Sequence, residues 1–599
     1  MHTPSRAAED RVSRPNGRWA RLAPGLATLA HYDRRWLSKD VLAGLSVAAI
    51  ALPVGLAYAE LAGVPAIIGI YSAIFPLLAY ALFGSSRQLI VGPDAATCLL
   101  VAASLAPLAG GDPERYLAML PVFTLMAGVL YLVAGAAKLG FIASFLSQPI
   151  LTGYLNGIAL IILLGQLPKL LGYPSAAREF VPQLQEVVER VALSHPPTAL
   201  LGLTLLAGLF ILKRVAPLVP GALVAVVAGI AAVAAFDLRA LGVAVTGALP
   251  SGLPAPHFAL FGPATYQSLF HDAAAIVLIS FASGMLTAKS FASRNRYEID
   301  ANQELIAFGA SNIASGLAQG FPVTGADSRT AVNNAVGGKT QLVGVVAAAT
   351  MLFALAFLKA PLALVPTAAL GAVVFVSAIG LFDVTGLRTL ARMSWREGLL
   401  SLGTTLGVLV LGVLPGVMVA IALSLIWLLM VASRPQDAVL GRVRGLPGFH
   451  SVADYSEART VPGLLLYRFE AALVFFNVDH FGARLRAAIR AAKTPVEWVV
   501  LDASPINWLD ATAVEQLDEL RSEFAAQGIV FAIARARLSL NRAFNPSWVA
   551  QRRPAALEFP RFPTLKAAVR AFERRKAGAE DVQTAEHPSP VGSEADEPV

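Results

Sequence analysis

VTGADSRT, residues 323–330, lies between two apolar stretches yet carries an aspartate and an arginine two positions apart. IVGPDAAT, residues 90–97, has the same shape: Gly92 matches Gly325, Asp94 matches Asp327 and Thr97 matches Thr330. A Gly-x-Asp-x-x-Thr pattern that recurs half a domain away marks two equivalent places in the chain, and what surrounds them sets the fold.

The surroundings are membrane. Hydrophobic residues make up 56% of the 599-residue chain and charged residues only 14%, against about 25% charged in soluble domains. A bilayer core takes about 20 apolar residues per helix. Candidate spans fall at 41–61, 65–83, 95–109, 117–136, 146–167, 197–212, 219–236, 272–289, 303–318, 328–336, 341–358, 364–382, 399–414 and 416–433. The third and tenth of these 14 spans are short, and both begin at the repeated motif. Seven spans per half make the halves antiparallel, the pattern of inverted-repeat transporters whose interrupted helices meet near the bilayer midplane.

The net charge of +8 is read through topology. The arm 1–36 and the loops on its side hold Arg87, Lys138, Lys213, Arg214, Arg294, Arg296, Lys339, Arg388, Arg392 and Arg396, and the opposite loops hold fewer basic residues. That asymmetry places both termini in the cytoplasm of a multi-pass protein of the inner (plasma) membrane, and nucleic acid is not an expected partner. A single cysteine, Cys98, excludes an internal disulfide. No cluster of His, Cys and carboxylates has metal or triad spacing, so neither an enzyme, a metal nor a cofactor is expected. Residues 37–434 are the expected transmembrane domain and 435–459 a linker. Strand-like runs (GLLLYRFE, EWVVLDAS, GIVFAIAR) and helix-periodic ones (DHFGARLRAAIRAA, DATAVEQLDELRSEF) predict a cytoplasmic α/β domain over 460–576. The tail 577–599 has a disordered composition.

The motif's chemistry is that of helix ends. First-turn N–H groups lack intrahelical partners and carry partial positive charge, a combination that binds anions. LIVGP and FPVTG read as extended approaches to those ends. Arg329 is costly inside a membrane, and its planar, permanent charge suits an oxyanion; the alternative is that it only pairs with Asp327 or reaches an interface. Asp94 and Asp327 have two readings. As preferred N-caps they only close their helices. As carboxylates beside an anion they repel it until protonated, which gives proton-coupled entry.

ALPVGLAYAELAGVPAIIGIYSAIFPLLAYALFGSSRQLIVGP (51–93), AKSFASRNRYEIDANQELIAFGASNIASG (288–316) and FPVTGADSRTAVNNAVGGKTQL (321–342) strongly resemble the sulfate permease (SulP) anion transporters. The C-terminal region is similar to that family's STAS domain. The resemblance implies 14 spans as 7+7 inverted repeats forming core and gate domains, elevator-like alternating access and a homodimer. It implies an anion site lined by Tyr58 in the first span; Asp94, Ala95 and Ala96 in the third; Ser283 and Thr287 in the eighth; and Ala326, Asp327, Ser328 and Arg329 in the tenth. Tyr58 and Ser283 also fit plain helix packing. Three departures stand out: Ser283 replaces the acid many bacterial members carry, Pro53-Val54 replaces a common Pro-Gln, and Asp94 and Asp327 replace apolar or small residues. In the STAS turn LDATA, Ala511 stands where related regulators have a phosphorylated serine, and Asp510 reads as a helix N-cap.

The expected function is secondary active transport of a small anion (sulfate, bicarbonate or a dicarboxylate), with the proton as co-substrate and Asp94 and Asp327 as coupling candidates. The alternatives are an uncoupled exchanger or conductor of the same fold, and a membrane-anchored regulator whose STAS domain binds a cytoplasmic protein.

Overall fold

In the computed structural model, the residues described are 23–144, 147–175, 180–216, 219–247, 256–537 and 559–578. The expectations for most of the N-terminal arm and nearly all of the C-terminal tail fall outside them. The chain forms two compact units, 1–424 and 425–599.

The first unit is helical. After a short α1 (Pro24–Ala30) come α2 (Leu37–Leu61), α3 (Ala66–Phe83), strand β1 (Val91–Gly92), α4 (Ala95–Ala109), α5 (Pro113–Ala136) and α6 (Gln148–Leu171). Next are α7 (Phe180–Arg190), α8 (Pro196–Val215), α9 (Gly221–Ala235), α10 (Pro263–Arg294) and α11 (Ala301–Leu317). Strand β2 (Thr324–Gly325) leads into α12 (Asp327–Val336). Helices α13 (Leu342–Phe357), α14 (Lys359–Ala363), α15 (Thr367–Leu381), α16 (Val384–Met393) and α17 (Trp395–Leu411) follow, and α18 (Val413–Ser433) contains the boundary between the two units. Each expected span coincides with a helix. Eight helices among the described residues are long and apolar enough to cross a bilayer. Amphipathic α7 and α16 escape an apolar-run reading because their polar residues interrupt it.

Local chemistry fixes the ends. Asp112 accepts from the Glu114 and Arg115 amides with Pro113 behind it, which starts α5. Gly110 (φ 63°) and Gly337 (φ 92°) take the left-handed conformation that ends α4 and α12. Small residues let helices touch. A Cβ at Gly69 of α3 would lie 1.9 Å from the Gly55 carbonyl oxygen of α2, and one at Gly153 of α6 would lie 2.2 Å from that of Ser401 on α17.

The second unit is an α/β layer. Its sheet has the order β4 (His450–Ser451), β3 (Asp437–Gly441), β5 (Leu464–Phe469), β6 (Trp498–Asp502), β7 (Val530–Ala534), β8 (Arg561–Phe562). Strands β5 to β8 are parallel, and β3 is antiparallel to β4 and β5. Alternate residues divide between two cores. Leu465, Tyr467 and Phe469 pack with α19 (Val478–Arg490) and α20 (Ala511–Ala526), whereas Leu464 and Leu466 pack with α21 (Leu565–Lys576). Burial on both faces explains the unbroken apolar run at 498–501. The segment 435–459, expected as a linker, instead supplies β3 and β4, with Asp437 paired to Phe469. Its strand DAVLG is too short and mixed to stand out by alternation. Asp510 caps α20 as expected, accepting from the Ala513 amide at 2.8 Å.

Candidate functional site

β1 and β2 pair antiparallel, Val91 opposite Gly325 and Gly92 opposite Thr324. Each strand runs straight into a helix, so α4 and α12 leave the crossing in opposite directions with their N-termini beside it. The expected extended approaches are therefore present, but their backbone groups are spent on each other: the Ala326 amide donates to the Ile90 carbonyl at 2.8 Å. The donors left at the crossing are those of the first helical turns.

The two ends differ. Asp94 is the N-cap of α4, and its Oδ2 accepts from the Ala96 amide at 3.2 Å and the Thr97 amide at 3.5 Å. Asp327 is not a cap: it opens the first turn of α12, whose N-cap Ala326 offers no side-chain bond. The Asp327 carboxylate instead accepts from the Thr287 hydroxyl of α10. A capping role thus holds for one aspartate only, because the second helix begins one residue earlier relative to the motif.

Arg329 is 1% exposed. It neither reaches an interface nor pairs with Asp327; its Nη2 donates to the Pro93 carbonyl, across the crossing. Its Nε has no hydrogen-bond partner. The carboxylate of Asp94 lies within its electrostatic reach. A Cβ on Gly92 would lie 2.9 Å from Arg329 Nη1, so the motif's first glycine is the space the guanidinium occupies. The second glycine has a different use: a Cβ on Gly325 would lie 3.2 Å from Gly284 Cα, so it lets α10 approach β2.

Of the other anticipated residues, Tyr58, Ala95, Ala96, Thr287 and Ala326 are buried, Ser283 is half-buried, and Asp327 and Ser328 are exposed. The structure thus brings residues of α2, α4, α10 and α12 around one point. A cavity of about 1080 Å³ lies elsewhere: it is lined by Gln166, Thr198 and Asp272, and holds a Glu60–Lys169 pair at 2.8 Å. It touches none of the anticipated site residues, and the helix ends, where the donors converge, carry the functional reading.

Several supporting residues were not anticipated. Glu304 of α11 is fully buried and accepts from the Ser85 amide (2.9 Å), the Ser85 hydroxyl (2.7 Å), the Ser86 amide (3.0 Å) and the Tyr80 hydroxyl (2.8 Å). It anchors the loop that enters β1. Asp40 of α2, also buried, accepts from the Lys339 amide (2.6 Å) and the Thr340 hydroxyl (2.6 Å) just past α12. Asn312 holds both backbone groups of Val323, at 2.9 and 3.1 Å, on the way into β2. Thr330 accepts from the Ile90 amide at 3.0 Å, whereas its counterpart Thr97 meets the Ser280 hydroxyl at 3.1 Å. The available signal was an ionisable residue inside an apolar helix, as at Glu304.

A multi-pass helical membrane unit with two half-helices meeting head to head, followed by an α/β domain, defines the class of protein. The chain belongs to the sulfate permease family, whose model matches residues 37–404, and a STAS domain model matches 455–551. It is 43% identical to a probable sulfate transporter of Mycobacterium tuberculosis over 92% of this chain and 98% of that one. It is 31% identical to the chloroplastic sulfate transporter 4.1 of Arabidopsis thaliana over 83% of this chain and 74% of that one. Murine Solute Carrier 26 family member A9, an anion transporter solved in the inward-facing state, superposes with a TM-score of 0.84 at 21% identity, over 96% of this chain and 99% of that one. The transmembrane domain of the cyanobacterial bicarbonate transporter BicA does so with a TM-score of 0.59 at 28% identity, over 65% and 98%.

Proposed function

We propose that this protein is a secondary active transporter of a small anion, sulfate above bicarbonate or a dicarboxylate, that binds its substrate between the N-termini of α4 and α12 and carries it with protons. The observation that supports this most is the buried Arg329 at the meeting point of two oppositely directed helix ends, with Nε unpartnered. Three sources of positive potential converge there, and an oxyanion can take donors from each. The relatives named as sulfate transporters favour sulfate as the substrate.

In this reading 14 spans form a core domain carrying the site and a gate domain against which it moves, in an elevator-type cycle. The protein acts as a homodimer in the inner membrane with both termini cytoplasmic, and the STAS domain offers a surface to a cytoplasmic protein. The alternative, an uncoupled exchanger, is favoured by Ser283, which puts no carboxylate on α10 at the site.

Uptake of radiolabelled sulfate, bicarbonate and succinate into proteoliposomes, with and without an inward proton gradient, tests the proposal. Gradient-driven accumulation of sulfate is expected. Equal flux with and without the gradient selects the exchanger, and no flux of any of the three anions overturns transport of this substrate class.

A further inference from the structure

The carboxylate of Asp94 sits on the Ala96 and Thr97 amides, the donors that a bound anion would take from α4. No side chain caps α12, and its Asp327 is turned to Thr287. One half-site is therefore open and the other already holds an anion that belongs to the protein. Both contacts to Asp94 are long and use a single oxygen, so the cap is weak enough to be exchanged. We infer that Asp94 is a tethered competitor for the substrate: ionised, it occupies the α4 amides opposite Arg329, and protonated, it yields them to the incoming anion.

The inference rests on the proposed transport function and narrows it, because it assigns coupling to Asp94 and leaves Asp327 a tether between α12 and α10. Charge balance favours the exchange. With Asp94 ionised, Arg329 already has a counter-charge and a further anion adds uncompensated negative charge at membrane depth. A proton on Asp94 removes one negative charge as the substrate brings its own, and a neutral acid is a weaker acceptor for amides than a carboxylate. The titratable and charged groups within electrostatic reach of Asp94 are Arg329 and Asp327 from α12, Tyr58 from α2, Tyr154 from α6 and Cys98 on α4 itself. Asp327 is the only other carboxylate among them and is the control.

The test uses the full chain in proteoliposomes, with sulfate as the probe. Asp94→Asn and Asp94→Ser keep an N-cap of similar quality and remove the titratable charge. In the wild type, sulfate affinity should weaken by up to about tenfold per pH unit as Asp94 ionises, the limit for one linked proton. In both Asp94 variants the dependence of sulfate affinity on pH should flatten whatever the affinity itself becomes, and a proton gradient should no longer drive accumulation. Asp327→Asn should keep the pH dependence whatever its affinity. If the wild type is gradient-driven and Asp94→Asn remains so, Asp94 only caps its helix and the inference is overturned while the transport reading stands. If the wild type ignores both pH and gradient, coupling itself fails, and the inference with it.

Discussion

Replacing Arg329 by alanine is expected to abolish sulfate binding and uptake while leaving a folded, membrane-inserted protein. The guanidinium holds the Pro93 carbonyl across the crossing and keeps Nε in reserve. A hydrogen bond to a charged group contributes about 1.5–3 kcal/mol, and two such bonds to a bound oxyanion give roughly 100-fold or more in affinity. Insertion should not suffer, since an arginine at membrane depth costs about 2.5–3.5 kcal/mol on translocon scales. Arg329→Lys should be nearly as damaging, because a point charge cannot span from Pro93 to a ligand as the planar fork does. Gly92→Ala should be milder, about tenfold in affinity, the order of one hydrogen bond to a charged group: its new methyl forces the guanidinium aside without removing it. Sulfate binding to purified protein, read beside thermal unfolding, separates the outcomes. An Arg329→Ala protein that binds sulfate like the wild type would place the anion elsewhere. The charge of Asp94, within electrostatic reach of Arg329 but not ion-paired with it, adds a second readout. Arg329→Ala strips Asp94 of its counter-charge, so adding Asp94→Asn should recover part of any lost thermal stability and none of the binding.

The apolar helices, the two short segments and five STAS elements (β5, β6, β7, α19 and α20) were legible because each is set by a local pattern of period 3.6 or 2. The significance of the motif was legible too, since intramembrane charge is costly enough to need a reason. What local pattern does not contain is the pairing of β1 with β2, two-residue strands more than two hundred residues apart. Without that pairing, nothing in the sequence says that Gly92 makes room for Arg329, or that Asp94 and Asp327 play different parts in similar motifs. Thr97 and Thr330 make the point most directly. They hold equivalent positions, yet one braces α10 and the other the opposite strand's backbone. The two aspartates diverge for the same reason: the helices start at different residues of the motif, and only the three-dimensional start of α12 shows it.

Glu304 carries the largest expected effect on stability. Its carboxylate takes four donors, two of them backbone amides at the entry to β1, in a fully buried setting. Glu304→Ala leaves the Ser85 and Ser86 amides without an acceptor, at about 1–3 kcal/mol each, and opens a void besides. Loss of most folded protein after detergent extraction is expected. Glu304→Gln is the milder change, because the three Ser85 and Ser86 donors share Oε1 and an amide oxygen can keep them, while the NH₂ at the other position meets the Tyr80 hydroxyl, which can turn to accept it. In the Glu304→Ala protein that remains folded, a lower unfolding temperature and weakened sulfate binding should appear together. Tyr80→Phe removes one donor and should cost about 1 kcal/mol with binding nearly intact. The joint loss is the informative feature. The Ser85–Ser86 loop leads through Gln88, whose carbonyl accepts from Asn333 of α12 at 2.8 Å, so a displaced loop moves β1 and α12 together and with them the guanidinium. A Glu304→Ala protein with wild-type stability and wild-type sulfate affinity would show that this buried carboxylate does not position the crossing. A destabilised one that still binds sulfate normally would confine it to the scaffold. Either result contrasts with Arg329→Ala, for which binding should vanish and the fold remain.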